Sequence, residues 1–169
     1  MKRVIVIGSG GAGKSTLARA LGQRLGLRVV HLDAQFWQAG WVERDCEDWL
    51  EWQRNALLEP RWIMDGNYGG TLDVRLEAAD TVIFLDLPPA ICIARVVWRV
   101  LRYLGRSRPD MARGCPEKLD FKFLRWIWQY PRKNRPVILE KLTRLEQGQR
   151  VVRLRSAAAV RDFLNTTAQ

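Results

Sequence analysis

The sequence predicts an α/β fold with a parallel sheet flanked by helices. Three observations carry that prediction. Short apolar, β-branched runs alternate with helical stretches along the whole chain. Several of those runs end on an aspartate or a glycine, as parallel strands do where they meet a ligand edge. The first run leads straight into a glycine-rich loop and a helix.

Val4-Ile5-Val6-Ile7 is continuous and apolar, which suits a strand buried on both faces. After the glycine loop, Leu17, Ala18, Leu21 and Leu25 share one face of a helix over 14–25, and Gly26 closes it. Val29-Val30-His31-Leu32 reads as a second strand ending at Asp33, with His31 a structural strand residue. A helix follows near 45–58, carrying Trp49, Trp52, Ala56 and Leu57, and Pro60 ends it. Trp62-Ile63-Met64 is the third strand, ending at Asp65-Gly66, and Thr81–Leu85 the fourth, ending at Asp86. Asp86 sits beside Pro88-Pro89 and reads as part of a structural turn. Pro89 opens a helix to about Tyr103. Residues 105–116 hold two glycines, two prolines and three arginines and read as a loop. Helices near 119–130 and 135–147, a fifth strand at 151–154 and a final helix capped by Ser156 complete the chain.

The 169 residues suit one domain, 1–169, with a segment of about 105–118 inserted as a lid. No apolar run is long enough to span a bilayer, and Met1-Lys2-Arg3 leads directly into a strand rather than a signal sequence. The expected compartment is the cytoplasm, with no membrane partner. Cys46, Cys92 and Cys115 are far apart, and His31 is the single histidine. That argues against a disulfide framework or a zinc site, and reduced structural thiols are the simpler reading. The formal charge is +10, and residues 91–155 hold 17 Lys/Arg against 5 Asp/Glu. Such a region can be a solvated helical face or can attract a polyphosphate or nucleic acid.

The motif that carries chemistry is Gly8-Ser9-Gly10-Gly11-Ala12-Gly13-Lys14-Ser15, followed by Thr16. It matches GxxxxGK[ST] at every fixed position, between a strand and a helix. Backbone N–H groups must wrap a polyphosphate, so the chain curls tightly and needs positions without a Cβ. The helix N-terminus adds unpaired donors and partial positive charge. Lys14 reaches the β- and γ-phosphates, and the Ser15 hydroxyl can ligate Mg²⁺. ATP and Mg²⁺ are therefore the expected ligands.

Asp65, at the end of an apolar strand, can hold Mg²⁺ through water. Asp33 can face a phosphoryl acceptor and take or orient its proton. Either can equally be a strand-end carboxylate capping a loop. Arg95, Arg99 and Arg102 recur at four and three and share a helical face, and Arg106, Arg108 and Arg113 continue into the loop. Arginines on a closing lid stabilise a migrating phosphoryl group and exclude water. In that reading Lys14, Asp33, Arg95 and Arg99 are catalytic, and Arg106 and Arg108 contact the nucleotide. The alternative is a basic surface helix with a flexible loop. Among eight tryptophans, Trp37 and Trp41 flank Gly40 in a loop-like stretch and are candidate ligand contacts, whereas Trp126 and Trp128 lie in an apolar helix and read as core.

His31-Leu32-Asp33, Phe36-Trp37, Gly40-Trp41, the run Trp62–Tyr68, the run Ala79–Asp86 and the block from Arg106 to Lys118 together resemble the bacterial DNA topology modulation protein family. These are adenylate-kinase-related P-loop proteins. The resemblance implies a nucleoside-monophosphate-kinase-like P-loop NTPase fold, a five-stranded parallel sheet with a short Arg-rich lid before the last strand. It implies that Asp33 is an acceptor-side acid, that Asp65-Gly66 matches the DG of adenylate kinases, and that Arg95 and Arg99 begin the lid. Adenylate kinases follow DG with an apolar residue, Pro and Arg, whereas Asn67-Tyr68-Gly69 stands here and the next arginine is Arg75. The expected activity is an ATP-dependent kinase for a small nucleoside, nucleotide or other hydroxylated acceptor. The competing expectations are a DNA-associated regulator that uses nucleotide as a signal or hydrolyses it slowly, and a nucleotide-binding protein without transfer.

Overall fold

The computed structural model describes residues 1–145 and 148–167. Its elements follow in chain order. Strand β1 (Arg3–Gly8) leads through the glycine loop to helix α1 (Lys14–Leu25) and strand β2 (Val29–His31). Helix α2 (Leu32–Phe36), a hairpin of β3 (Trp37–Gln38) and β4 (Val42–Glu43), and helix α3 (Cys46–Leu57) come next. Strand β5 (Trp62–Asp65), a 3₁₀ turn (Gly69–Thr71), helix α4 (Leu72–Ala78) and strand β6 (Thr81–Leu85) follow. Helices α5 (Pro89–Tyr103), α6 (Phe121–Lys133) and α7 (Arg135–Thr143), strand β7 (Arg150–Leu154) and helix α8 (Ala157–Thr166) finish the chain.

The main sheet has five strands in the order β2-β5-β1-β6-β7. Every adjacent pair in it is parallel. Alternation along β1 places the two cores. Val4 and Val6 pack with Leu17, Leu21 and Val96 on the face covered by α1, α5 and α8. Ile5 and Ile7 pack with Leu72, Leu76 and Ile138 on the other, under α4 and α7. Burial of apolar side chains on both faces explains why β1 and β6 are apolar throughout.

The five expected strands all form. The second is shorter than the sequence suggests, because β2 is an edge strand and its last residue, His31, already pairs with the last residue of β5, Asp65. Leu32 has no ladder partner beyond that point and turns into α2, so Asp33 sits in the first turn of a short helix rather than at a strand end. Helix α6 runs past Tyr130 through Pro131 to Lys133. A proline in the last turn forfeits one hydrogen bond, and Asn134 N–H still reaches the Tyr130 carbonyl at 3.0 Å. The sequence places the end of the following helix at Gln147, which lies outside the described residues. Helix α4 and the β3–β4 hairpin go beyond the sequence reading. Trp126 is half-buried against the core, but Trp128 is 63% exposed, which corrects its assignment to the core. The two residues stand about 200° apart on a helix, so one core face cannot take both.

Asp86 is a structural residue as expected. Arg135 Nε donates to it at 2.9 Å and Arg153 Nε at 2.8 Å, which ties α7 and β7 to the end of β6. The three cysteines are free thiols, Cys92 and Cys115 buried and Cys46 exposed. No helix among the described residues is long and apolar enough to cross a membrane.

Candidate active site

The C-terminal edge of the sheet opens into a cavity of about 1140 Å³. Its wall joins Gly10, Gly11, Gly13, Lys14, Ser15 and Thr16 of the glycine loop to Asp33 and to Arg95, Arg99 and Arg108. Gly8, Ser9 and Ala12 of the same loop are buried and do not line it.

Steric necessity explains the glycines. Gly11 has φ +74°, and a Cβ there would stand 2.2 Å from the Cys92 carbonyl oxygen of α5. Gly13 has φ +94° and caps α1 without a side-chain hydrogen bond, so the first N–H groups of α1 stay open to the cavity. Lys14 Nζ donates to the Ser9 carbonyl at 3.0 Å, folded back over its own loop. Burial depresses the Lys14 pKa, while the charges of Asp33 and Asp65 oppose that shift. An anion in the cavity would supply the charge that this ammonium lacks.

Register explains the next group. Asp65 ends β5 between β1 and β2, beside its ladder partner His31. Ser15 Oγ donates to Asp65 Oδ2 at 2.6 Å. The other carboxylate oxygen pairs with His31 Nδ1. Burial alone would lower the His31 pKa, but the hydrogen bond and charge of Asp65 raise it above its usual value. His31 is thus a partner of a site carboxylate and not only a strand residue. Its position at the end of an apolar run was the available signal.

Ser15 and Asp65 offer hard oxygen donors side by side, which suits Mg²⁺. Among the described residues no group of three or more His, Cys, Asp or Glu is placed to hold a metal. Asp65 is buried off the cavity wall with both oxygens engaged, so it would reach such an ion through water, and Mg²⁺ usually keeps several waters.

The arginines divide. Arg95 Nη1 donates to the Ala12 carbonyl at 3.2 Å and lies against the loop. Arg99 Nε stands 3.2 Å from the buried carboxylate of Glu117, which also pairs with Arg108. Arg108 Nη1 donates to Asp110 at 2.9 Å. Burial and the neighbouring Arg108 lower the Arg99 pKa, against the pull of Glu117. Asp110 is buried and faces Arg19 across the cavity mouth at 4.0 Å. Burial works against its charged form, but Arg108 and the Ser15 hydroxyl hold it below the usual carboxylate range. Arg106 and Arg113 are exposed and line no part of the cavity, so the structure does not bring Arg106 to the nucleotide site expected for it. Glu117 and Asp110 escaped the sequence reading. Two acids within a strongly basic loop were the trace they left.

The far end of the cavity is aromatic. Tyr68 Oη donates to Asp33 Oδ1 at 2.7 Å. Burial, then the Asp33 charge, raise the Tyr68 pKa, so the phenol stays protonated. Its ring lies 4.8 Å from Phe36, which meets Trp37 at 5.2 Å, and Trp37 meets Trp41 at 5.4 Å. Arg75 is fully buried beneath this loop and donates to the carbonyls of Gly66, Asn67 and Tyr68 at 2.8–3.0 Å. Burial lowers the Arg75 pKa to about 10.

The segment 105–118 is fastened to the hairpin. Gly40 N–H donates to the Gly114 carbonyl at 2.8 Å, Cys115 Sγ to the Gln38 carbonyl at 3.0 Å, and Trp41 Nε1 to the Pro116 carbonyl at 3.1 Å. The segment that carries Arg108 and Glu117 therefore lies against Trp41.

No family model matches the sequence. The chain is 32% identical to a shikimate kinase from Phocaeicola vulgatus over 141 residues, covering 72% of this chain and 75% of that protein. Among solved structures, a shikimate kinase from Acinetobacter baumannii in complex with shikimate aligns with TM-score 0.62 at 16% identity, covering 98% of this chain and 90% of that one. A gluconokinase from Sinorhizobium meliloti aligns with TM-score 0.54 at 16% identity, over 99% and 89%. The two structural likenesses are likenesses of fold, a parallel sheet with a phosphate-binding loop.

Proposed function

The chain belongs to the shikimate-kinase-like family of P-loop small-molecule kinases, and on that premise we propose that it transfers the γ-phosphoryl group of ATP to a hydroxyl of a small acceptor. One observation carries the reading. The glycine loop with Lys14, Ser15 on its buried partner Asp65, and the Tyr68-held Asp33 come together at a single cavity large enough for two ligands, which Lys14, Ser15 and Asp33 line.

In this reading the loop N–H groups and Lys14 bind the β- and γ-phosphates. Ser15 and, through water, Asp65 hold Mg²⁺, which when bound offsets charge on the phosphate oxygens. Arg95, Arg99 and Arg108 surround the transferring group, and the segment 105–118 acts as a lid within one domain. The acceptor oxygen bonds to the γ-phosphorus as the bond to the β,γ-bridging oxygen breaks. ADP leaves with that electron pair, and the acceptor proton passes to the Asp33 oxygen that Tyr68 leaves free. The working compartment of such a kinase is the cytoplasm, where ATP and Mg²⁺ are plentiful.

A second reading rests on a different observation. Trp98 and Trp128 are 61% and 63% exposed on the basic half of the chain, with Arg102 stacked over Trp98 at 5.3 Å. Exposed aromatics among arginines suit a nucleic acid strand, as in a DNA-associated regulator of the topology modulation type. The matched proteins that carry an activity in their names are kinases, which favours the first reading.

The test is ATP consumption with Mg²⁺ against a panel of small alcohols, nucleosides and nucleotides, in wild type and Lys14→Ala. The kinase reading expects stimulation by one acceptor class, lost in the variant. Slow acceptor-independent hydrolysis, together with DNA binding that weakens steeply with salt, would move the assignment to the second reading.

A further inference from the structure

Helix α5 is apolar on two sides. Cys92, Val96 and Val100 are buried in the core. Ile91, Val97, Trp98, Leu101 and Leu104 stand on the other side, between 37% and 72% exposed. At 3.6 residues per turn these five fall within an arc of about 140° and run for about 20 Å along the helix. The stripe continues past the helix end. Leu104 pairs with Glu117 as an isolated bridge, which brings the exposed Leu119 and Phe121 to the same end. Helix α6 packs against α5 and leaves Trp128 exposed on its own outer side, one heptad after Phe121 and with Arg125 between them. Large apolar side chains uncovered in such a continuous row mark a docking surface. Within the stripe only Trp98 also lines the cavity, so the stripe borders it.

Charge decides what covers it. Residues 91–135 hold 12 Lys/Arg and 3 Asp/Glu. All three acids are engaged. Asp110 and Glu117 are buried and paired with Arg108, and Glu117 with Arg99 as well. Asp120 accepts from the N–H groups of Lys122 and Phe123 at the start of α6. The cations Arg106, Arg113, Lys118, Lys122, Arg125 and Arg132 are exposed. A second copy of the chain would set two such excesses of positive charge against each other. A nucleic acid would match the charge and stack on Trp98, but it has no counterpart for Ile91, Val97, Leu101 and Leu104. An anionic bilayer surface matches both. Aliphatic side chains enter the acyl boundary, tryptophan sits at headgroup level, and Lys and Arg meet the lipid phosphates and carboxylates. A helix lying in that interface needs no long apolar run, so a search of the sequence for a membrane span passes over it.

We propose that the outer face of α5, with Leu119 and Phe121 at its end, docks on an anionic lipid surface. Docking there brings the neighbouring cavity to the bilayer. The kinase reading is not needed for this inference.

The test is co-sedimentation of the whole chain, without nucleotide, with sucrose-loaded vesicles. One set is phosphatidylcholine alone and the other carries about a third phosphatidylserine, both at about 0.1 M salt. Wild type is compared with the double variant Leu101→Ser, Leu104→Ser. Both leucines are exposed, so the variant keeps the fold, and an unchanged melting temperature checks this. Binding to the serine-containing vesicles is expected to be at least about tenfold tighter than to phosphatidylcholine, and about tenfold weaker in the variant than in wild type. Equal binding by the two proteins overturns the proposal, since a chain of charge +10 adsorbs to anionic lipid by charge alone. Failure of the wild type to bind the serine-containing vesicles also overturns it and leaves the stripe to a protein partner. A dimer in solution that the serine substitutions dissociate overturns it in favour of a second copy. Single-stranded DNA binding weakened by the same substitutions overturns it in favour of a nucleic acid. ATP turnover enters none of these readouts, so failure here leaves the kinase reading standing.

Discussion

The two ends of the cavity are built on opposite plans. The phosphate end is a single contiguous run, Gly8–Thr16, whose backbone supplies the donors and whose side chains contribute little beyond Lys14 and Ser15. The acceptor end is assembled from side chains on α2, the β3–β4 hairpin and the loop after β5, held together by hydrogen bonds between residues about 35 apart in sequence, such as Tyr68 to Asp33. Polyphosphate is a common ligand and needs one cradle. An acceptor is particular, and its pocket can be rebuilt residue by residue on an unchanged sheet.

If the division is sound, damage at the phosphate end should be the most severe. Lys14→Ala is expected to lower kcat/KM by about a thousandfold, since it removes the mobile cation that stabilises charge on the migrating phosphoryl group. Steady-state kinetics with any stimulating acceptor reads this out. Asp33→Asn attacks the junction of the two ends. A fall of about a hundredfold in kcat is expected, with the KM for ATP unchanged, because general-base assistance is lost while the phosphate cradle is intact. An equal loss of ATP affinity would move Asp33 from the acceptor side to the nucleotide.

The difference in plan also explains what could be read from the sequence. The cradle was legible because its requirement is local. A tight turn with positive φ at Gly11 and Gly13, next to an apolar strand and a helix, leaves a fixed pattern in one stretch of chain. The five strands were legible for the same reason, since burial on both faces writes continuous apolar runs. Asp65 could be placed but not its partners. His31 reaches it through the β2–β5 register and Ser15 from the first turn of α1, contacts that no local pattern encodes. The hairpin has two-residue strands, too short for alternation to register, and Gly40 alone marked its turn. Tyr68 reaches Asp33 from a left-handed backbone that tyrosine does not announce. Arg106 shows the converse failure, since continuing an arginine pattern into a loop says nothing about which side chains turn inward.

Glu117 tests the contact between the two ends. It neutralises Arg99 and Arg108 while sitting one residue from Pro116, which the Trp41 indole holds. Glu117→Gln would leave the half-buried Arg99 guanidinium without its anion and Arg108 with Asp110 alone. A stability loss of about 3 kcal/mol is expected, read as a lower melting temperature. Saturating ATP should recover more of that temperature in the variant than in the wild type, since its phosphates replace the missing charge. An equal ATP shift in both proteins would separate these arginines from the nucleotide.

The smallest effect is expected away from both ends. Asp80 lies at the opposite edge of the sheet and accepts from the N–H groups of Lys2 and Arg3 at 2.7 and 2.8 Å. Partial burial opposes ionisation, but these bonds and that of Thr81 hold its pKa below the ordinary 3.8. A depressed carboxylate pKa contributes stability above its unfolded value and loses it as pH falls through the folded one. Asp80→Asn should therefore cost about 1 kcal/mol at neutral pH, with the deficit shrinking below pH 3.8 and kinetics untouched. Denaturant melts across that pH range measure it, and a deficit constant with pH would contradict the assignment.

In the proposed kinase one cavity passes phosphate from the glycine loop to a hydroxyl at Asp33. The measurement follows γ-labelled ATP with Mg²⁺ and a mixture of small alcohols, nucleosides and nucleotides, in wild type, Lys14→Ala and Asp33→Asn. Label recovered in an organic phosphate ester with the wild type, and nearly absent with both variants, is the predicted result. Label found only as inorganic phosphate, or an ester yield unchanged in Asp33→Asn, would contradict it.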